Sequence, residues 1–496
     1  MEKLLKNVNV LAITCLQWGD TGKGKLVDLF ALWADIIARG TGGDNAGHTI
    51  CYNGNTYVFH IVPSGILYDK DGKINIIGNG TVVYAKTLCN ELGLLTANGL
   101  SYQNLMLAWN AKLILPSHIL LDRVRESGKD GRIGSTGKGI APTYMDHVGR
   151  KGLIVNDLLN PDIFAAKLKR HLVEKRLLLK NYDHGLIQEI MAHEHLEHGA
   201  YYNAKKIFDE ESIIQKYLAY GQKLRPLIKD TDNFLRNAHK GGAKILLEGA
   251  QGNLLSIDHG TYPYVTSSDC SVAGLAKGVG LSARDVDKSL GIIKGFYETR
   301  VGEGPFPTEM GGKESDLWCN GGQATKEIEA AKYAKVPINW QSAFDQGVGI
   351  RIRGGEYGAT TGRPRRTGWL DLPLLSYSIK FSGPEVVLTK LDVLDECEVI
   401  KICSAYRYEG PTFQHADRTI KAGDVLKDVI PNDEFLKHCV PIYREFPGWQ
   451  CSIEKTRNFT DLPSKLKDIL QFIVEETGID PKIISVGADR EATIFV

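Results

Sequence analysis

The chain has 496 residues, 43% of them hydrophobic and 24% charged, and 60 Lys and Arg against 59 Asp and Glu leave a formal net charge of +1. That is an ordinary globular composition, with length enough for one large domain or several smaller ones. The balance excludes a bulk electrostatic pull toward nucleic acid or membrane, and no run of about 18 apolar residues suggests a membrane span.

Taken in chain order, the N-terminal "MEKLLKNVNVLAITC" has too short an apolar run and no small-residue cleavage pattern for a signal peptide. Val8 to Thr14 reads as a buried strand, and the residues from Lys23 have helical spacing. Further strands are expected over Ile74–Gly80, Ala243–Gly252, Leu290–Gly302 and Glu385–Asp395, each ending in an unusual turn. Residues 153–240 are mostly helical by pattern. "LPSKLKDILQFIVEETGI" near the end is an amphipathic helix with Leu466, Ile469, Leu470, Ile473 and Val474 on one face. Continuous apolar strands alternating with helices imply an α/β fold, a large mainly parallel central sheet flanked by helices. The whole of 1–496 is expected to be a single domain with a helical subdomain at about 153–240. Ligands in such sheets gather beyond the carboxyl ends of the strands. The nine cysteines form no C-x-x-C pair and are odd in number, which argues against a zinc ribbon or a disulfide framework and for a reducing cytoplasm.

Four stretches carry chemistry. "LQWGDTGKGKLVD", Leu16 to Asp28, follows a strand and enters a helix. Gly19, Gly22 and Gly24 would let backbone N–H groups approach an anion, and Lys23 and Lys25 add charge. Leu26 stands where the phosphate-loop pattern requires Ser or Thr, and Asp20 would repel phosphate unless a metal or a proton-transfer role offsets it. "GTGGDNAGHTI" presents His48 after a tight bend, although an isolated histidine is more often structural. "TKLD", Thr389 to Asp392, has the form that reads guanine: one carboxylate accepts from N1–H and the 2-amino group, a donor pair adenine lacks. "YGATTGRPRRTGWLD" offers two threonines and three arginines to a small dicarboxylate or to phosphates. A fifth cluster, His193, His195 and His198, is a solvated helix face by its charged context and is assigned no site.

These stretches, with "EGAQGNLLSIDHGTYPYVTSS" and "GSTGKGIAPTYMDHVGRKGL", resemble the adenylosuccinate synthetase family from about residue 8 to the C-terminus. The resemblance implies a P-loop-NTPase-like fold and an enzyme that joins IMP and L-aspartate with GTP and Mg²⁺, releasing GDP and phosphate. It implies that Asp20 is the general base and, with the Gly47 carbonyl, a metal ligand, which answers the missing Ser/Thr. His48 would be the general acid. Gly19, Asp20, Thr21, Gly22, Lys23, Gly24 and Lys25 would hold GTP phosphates, and Arg365 would lie near GTP. Lys390, Leu391, Asp392, Ser485, Val486 and Gly487 would read guanine. Asp20 to Lys23 would also line IMP, with Asn45, Ala46, Gly47, His48, Thr136, Gln251, Thr266 and Arg363. Arg150 would reach the partner subunit's IMP in a homodimer. Ala359, Thr360, Thr361, Gly362, Arg363, Pro364 and Arg365 would close over aspartate.

The chain departs from the family pattern at several points. Thr21 replaces the usual Glu, Lys138 replaces an Arg, and "SSDCSVAG" puts Asp269 near the expected IMP phosphate. Residues 311–356 are longer than usual, and a tolerated surface insertion is the simpler expectation for them. Two other functions compete: a related ligase acting on a 2-aminopurine nucleotide such as dGMP, and a GTP-binding switch without ligase chemistry. The phage-type relatives put a smaller residue in place of the loop aspartate, so Asp20 favours IMP. A switch would not need the Thr360–Arg363 loop or the pairing of Asp20 with His48.

Overall fold

The computed structural model describes every residue except 53–54, 129–131, 198–206, 323, 334–337, 340–341 and 359–361. Ten strands form the central sheet, in the spatial order Thr493–Phe495, Asp480–Ser485, Glu385–Thr389, Lys288–Lys294, Val10–Cys15, Ile245–Glu248, Ile36–Arg39, Ile74–Ile77, Leu105–Ala108, Ile228–Lys229. All neighbours pair in parallel except the edge strand Thr493–Phe495, which is antiparallel to Asp480–Ser485.

The strand Val10–Cys15 shows why the sequence folds this way. All six of its residues are buried, because helices cover both faces. Leu11 and Ile13 pack with Leu26, Val27 and Phe30 of the helix Lys23–Ala31, while Val10 and Ala12 pack on the other face with Leu235 and Leu275. This is the two-residue alternation of a pleated strand between two apolar layers. At ~25 cal/mol per Å² of apolar surface, each such fully buried Leu or Phe contributes ~1.5–3 kcal/mol. The helix Ser464–Thr477 buries Leu466, Ile469, Leu470 and Ile473 as its spacing foretold, with Val474 half-buried beside them.

Two expectations need correction. The run Leu290–Gly302 is not one strand. Lys288–Lys294 stays in the sheet, and Tyr297–Arg300 leaves it to pair with Arg366–Trp369. The break falls at Gly295, where a Cβ would meet the Leu391 side chain at 2.5 Å. Nor are residues 311–356 a surface appendage. Their helices Lys313–Asn320, Lys326–Tyr333 and Ala343–Gly354 bury Glu329, Phe344, Val348 and Ile350, and Ile338 between the last two helices is buried as well. The antiparallel strands Val399–Tyr408 and Cys439–Pro447 form a smaller sheet that the sequence reading did not single out.

Residues 155–240 are dominated by the helices Pro161–Leu179, His184–Glu197, Glu210–Leu224 and Thr231–Lys240. The carboxyl ends of the parallel strands, Cys15, Glu248, Lys294, Thr389 and Ser485, lie along one edge of the sheet. The loops that follow them converge there.

Candidate active site

That edge opens into a cleft of about 1220 Å³. Gly19 to Lys25, Asn45 to His48, Thr136, Gln251, Thr266, Gly362, Arg365, Lys390, Asp392, Ser485 and Gly487 all line it. Five of the expected residues do not. Leu391 and Val486 are fully buried in the core, so their side chains face away from the cleft. Arg363 and Pro364 lie in the neck of the loop that bears Gly362, where the Arg363 carbonyl accepts from Gly358 N–H at 2.8 Å. Arg150 is exposed at the end of the helix Ile140–Val148, outside the cleft. Ala359, Thr360 and Thr361 lie outside the described residues, and so does His198 of the histidine cluster.

The backbone is unusual where the cleft is built. Asp20, Gln251 and Lys390 adopt positive φ of 55°, 51° and 58°, as does Arg150 at 62°. Non-glycine residues in this region cost of order 1 kcal/mol or more and concentrate where a side chain must be aimed. Gly22, at φ 78°, starts the helix Lys23–Ala31, so free backbone N–H groups and the positive helix end face the cleft.

Around His48 the polar groups are half satisfied. His48 Nδ1 lies 2.7 Å from Glu248 Oε1, both side chains being nearly inaccessible. Glu248 also accepts from Ser64 N–H at 2.8 Å and Ser64 Oγ at 2.7 Å. Burial pushes the Glu248 carboxyl up, but His48, Arg39 and the Ser64 N–H outweigh it and hold the group at about 2. An ionised Glu248 can only accept, so His48 Nδ1 carries the proton and Nε2 is left as an acceptor. Burial lowers the imidazole's pKa, against the opposing pull of Glu248. Nε2 is buried without a partner, as are Thr21 Oγ1 and both amide atoms of Gln251. Lys23 Nζ donates to the Gln251 carbonyl at 2.5 Å. The sequence reading did not assign Glu248. It opens the quoted "EGAQG" stretch, and its placement at the end of a strand, beside the turn that carries His48, was the available signal.

The other end of the cleft is saturated with ion pairs. Glu356, fully buried, accepts from Lys294 Nζ at 2.7 Å, Arg365 at 2.8 Å, Lys390 Nζ at 2.7 Å and Tyr297 Oη at 2.9 Å. Arg365 Nε also lies 2.9 Å from Asp20 Oδ2. Burial raises the pKa of the Glu356 carboxyl, but Lys294, Lys390 and Arg365 outweigh it and hold it well below its usual range. Lys25 is engaged rather than free: its ammonium donates to Ser485 Oγ at 2.7 Å and to the Gly487 and Ala492 carbonyls at 2.9 and 3.0 Å. Burial lowers its pKa to about 8 despite Asp392. Thr389 Oγ1 donates to the Thr21 carbonyl at 2.8 Å, tying the "TKLD" turn to the glycine-rich loop.

Asp269 turns away from the cleft. It accepts from Ser256 Oγ, Ser271 N–H and Ser271 Oγ at 2.9–3.0 Å, next to the N-terminus of the helix Val272–Lys277. The departure at "SSDCSVAG" is therefore a local turn. A second cluster of metal-ligand types, His118, Asp146 and His171, is closed from within. Lys175 Nζ lies 2.5 Å from Asp146, Leu115 N–H donates to His118 Nδ1 at 3.0 Å, and Ser117 Oγ meets His171 Nε2 at 2.6 Å. Each nitrogen has a protein partner, so the cluster holds helices together.

Comparison with known proteins gives the family. The adenylosuccinate synthetase family model matches residues 12–494. An adenylosuccinate synthetase of Halothermothrix orenii is 39% identical over 481 residues, covering 96% of each chain. That of Streptococcus gordonii is 40% identical over 482 residues, again with 96% of each covered. A fully ligated adenylosuccinate synthetase from Plasmodium falciparum superposes with a TM-score of 0.78 at 30% identity, covering 98% of this chain and 100% of that one. A cyanophage S-2L succinoaminodeoxyadenylate synthetase bound to dGMP and dATP shares the fold at a TM-score of 0.51 and 17% identity, covering 98% of this chain and 95% of its own. The chain belongs to the adenylosuccinate synthetase family and is a ligase that joins IMP to L-aspartate at the expense of GTP in AMP biosynthesis.

Proposed function

We propose that the two ends of the cleft divide the reaction between them. IMP lies against Asn45 to His48, Thr136, Gln251 and Thr266. The GTP phosphates lie over Gly19 to Lys25, with guanine at Lys390, Asp392, Ser485 and Gly487. Aspartate enters beneath the loop that carries Gly362. The observation that supports this best is the set of buried polar atoms without protein partners, His48 Nε2, Thr21 Oγ1 and the Gln251 amide, all in side chains that line the cleft. Each such atom costs ~1–3 kcal/mol unless a ligand completes it.

Asp20 takes the N1 proton of IMP, so that O6 attacks the GTP γ-phosphate. The bond to the β-phosphate oxygen breaks, and GDP and 6-phosphoryl-IMP result. The amine of aspartate then displaces that phosphate at C6. His48 faces the developing phosphate charge through Nε2, and Glu248 stabilises its protonated form. Positioning and charge neutralisation supply most of the acceleration. The Asp20 carboxylate and the Gly47 carbonyl both line the cleft and are hard oxygen donors, the donor type of Mg²⁺. The ion would supply charge neutralisation to the GTP phosphates.

The reading extends to a homodimer in which Arg150 serves the partner subunit. Arg150 follows an exposed apolar stripe, Met145 at 54% and Val148 at 78% exposure, which a partner would cover. It also extends to the cytoplasm, consistent with eight unpaired cysteines among the described residues. No described helix is long and apolar enough to cross a membrane. The deciding experiment is GDP release measured with IMP and aspartate each omitted in turn. Turnover should require both; turnover with dGMP in place of IMP, or GTP hydrolysis needing neither, would overturn the assignment.

A further inference from the structure

The loop that follows Glu356 is held from behind by residues 311–356. Its neck is a short two-chain ladder: Arg365 N–H donates to the Glu356 carbonyl at 2.9 Å, Gly358 N–H to the Arg363 carbonyl at 2.8 Å, and Tyr357 bridges Pro364. Behind the neck lies Glu329, fully buried on the helix Lys326–Tyr333. It accepts from Arg351 Nε at 2.9 Å and from another guanidinium nitrogen at 2.6 Å, from Trp318 Nε1 at 2.7 Å, and from Tyr357 Oη at 2.7 Å. Arg351, equally buried, uses its remaining nitrogen to donate to the Arg365 carbonyl at 3.0 Å. One ion pair thus grips both sides of the neck, Tyr357 on the outgoing chain and Arg365 on the returning one. A third contact lies further out: Lys326 N–H donates to the Gly362 carbonyl at 3.1 Å, and Lys326 lines the cleft.

We propose that Glu329 and Arg351 are positioning residues for the aspartate-binding loop. The proposal rests on the assignment of that loop to aspartate. Groups carried on a loop lose conformational entropy when they are ordered around a small ligand. Fixing both ends in advance removes part of that loss, and the benefit falls on the one substrate the loop covers. The pair touches no substrate. It acts through Tyr357 and through the backbone of Arg365, whose side chain pairs with Asp20. A buried ion pair is poor evidence for stability alone, so its presence here fits a role in placement.

The test compares Glu329→Gln and Tyr357→Phe with the wild-type chain. Glu329→Gln keeps the shape but removes the charge that Arg351 and Tyr357 share. Tyr357→Phe removes one hydroxyl and serves if the first variant fails to fold. Expected is a rise in KM for aspartate, ~10-fold or more for Glu329→Gln and ~3–10-fold for Tyr357→Phe, as for loss of hydrogen bonds to a charged group. KM for GTP and IMP should change by less than a factor of ~3. Hydrogen–deuterium exchange at the Gly362, Arg363 and Arg365 amides should quicken while the strand Arg366–Trp369 stays protected. A variant that lowers the melting temperature but leaves KM for aspartate and loop exchange unchanged makes the pair purely structural and overturns the proposal. If wild-type turnover proves independent of aspartate, the function assignment fails instead, and loop exchange still decides whether the pair braces the neck.

Discussion

The two ends of the cleft solve opposite problems. At the His48 end, one carboxylate, Glu248, orients one imidazole and leaves its outer nitrogen unpaired. At the Arg365 end, one carboxylate, Glu356, accepts from three cations and a phenol. The first end is organised and waiting for a partner. The second has its donors already engaged, and on the proposed placement of GTP the triphosphate would compete with Glu356 for Arg365 and Lys390. The difference is what phosphoryl transfer needs: a fixed proton-handling group on one side, and cations whose attention shifts with the migrating charge on the other.

The comparison breaks most severely at Asp20, which lies between the ends through its pair with Arg365. Asp20→Asn should keep the turn, since Asn tolerates positive φ, but removes the carboxylate proposed to take the N1 proton. Loss of a general base lowers kcat by ~10²–10⁴-fold, measured as IMP- and aspartate-dependent GDP release. Near wild-type turnover would remove Asp20 from the proton transfer.

Glu356→Gln attacks the Arg365 end. It strands Lys294, whose pKa burial already lowers to about 8 against the pull of Glu356. Breaking a buried pair from one side costs ~3–5 kcal/mol. Without Glu356 the folded-state pKa of Lys294 falls further below 8, while the unfolded value stays near 10.5. Between those values the unfolded chain binds more protons, so stability rises with pH. The variant should melt lower at pH 7 and recover part of the loss by pH 9. A pH-independent loss would mean that Lys294 does not depend on Glu356 for its charge.

How far these features were legible follows from how local they are. The glycine-rich turn, His48 and the "TKLD" turn are short motifs whose chemistry is carried by adjacent residues, and the cleft contains them all. Glu248, Glu356 and Glu329 act through partners whose farthest members lie 200, 62 and 28 positions away, His48, Lys294 and Tyr357. Glu248 is marked only by its place at the end of an apolar run, and nothing in the immediate sequence of Glu356 and Glu329 distinguishes them from solvated acids. Asp269 erred in the opposite direction: it looked like a charge in a phosphate site and proved to be a turn residue. Five strands of the sheet, Val10–Cys15, Ile74–Ile77, Ile245–Glu248, Lys288–Lys294 and Glu385–Thr389, were visible as apolar runs because burial on both faces keeps them mostly apolar; Ile36–Arg39, Leu105–Ala108 and Asp480–Ser485 were not singled out. The split at Gly295 was not, since it depends on how closely Leu391 approaches.

At the open end, Glu248→Gln sharpens the role given to His48. A hydrogen bond to a charged partner contributes ~1.5–3 kcal/mol, so kcat should fall by about 10–150-fold with little change in KM for GTP. The variant removes what raises the His48 pKa, so an acid form of His48 is lost at lower pH and the alkaline limb of the rate profile moves to lower pH. Stability gives an independent check. The Glu248 carboxyl lies at about 2 in the fold against 4.5 as its ordinary value. Its contribution is therefore present above about 4.5 and lost as pH falls toward 2. The variant should lack that portion of the acid transition.

The smallest effect concerns which base the Arg365 end accepts. Asp392 lies in the cleft beside Lys390, at the turn after the strand Glu385–Thr389. Its carboxylate suits the paired donors of guanine, and ATP would leave it unpaired at ~1–3 kcal/mol or more. Asp392→Asn should raise KM for GTP and improve xanthosine triphosphate relative to GTP, because the amide can donate to the 2-oxo group of xanthine. Acid titration sharpens the test. Burial raises the Asp392 pKa against the opposing pull of Lys390 and Lys25. As pH falls the carboxyl gains its proton earlier than an ordinary aspartate and stops accepting from guanine. Wild-type KM for GTP should therefore climb on acidification, and the Asn variant, which has no proton to gain, should stay flat. Steady-state kcat/KM for GTP, ATP and XTP on both proteins, repeated between pH 5 and 8, measures both effects. Equal use of ATP and GTP by the wild type, or an unchanged GTP/XTP ratio in the variant, would mean that Asp392 does not read the base.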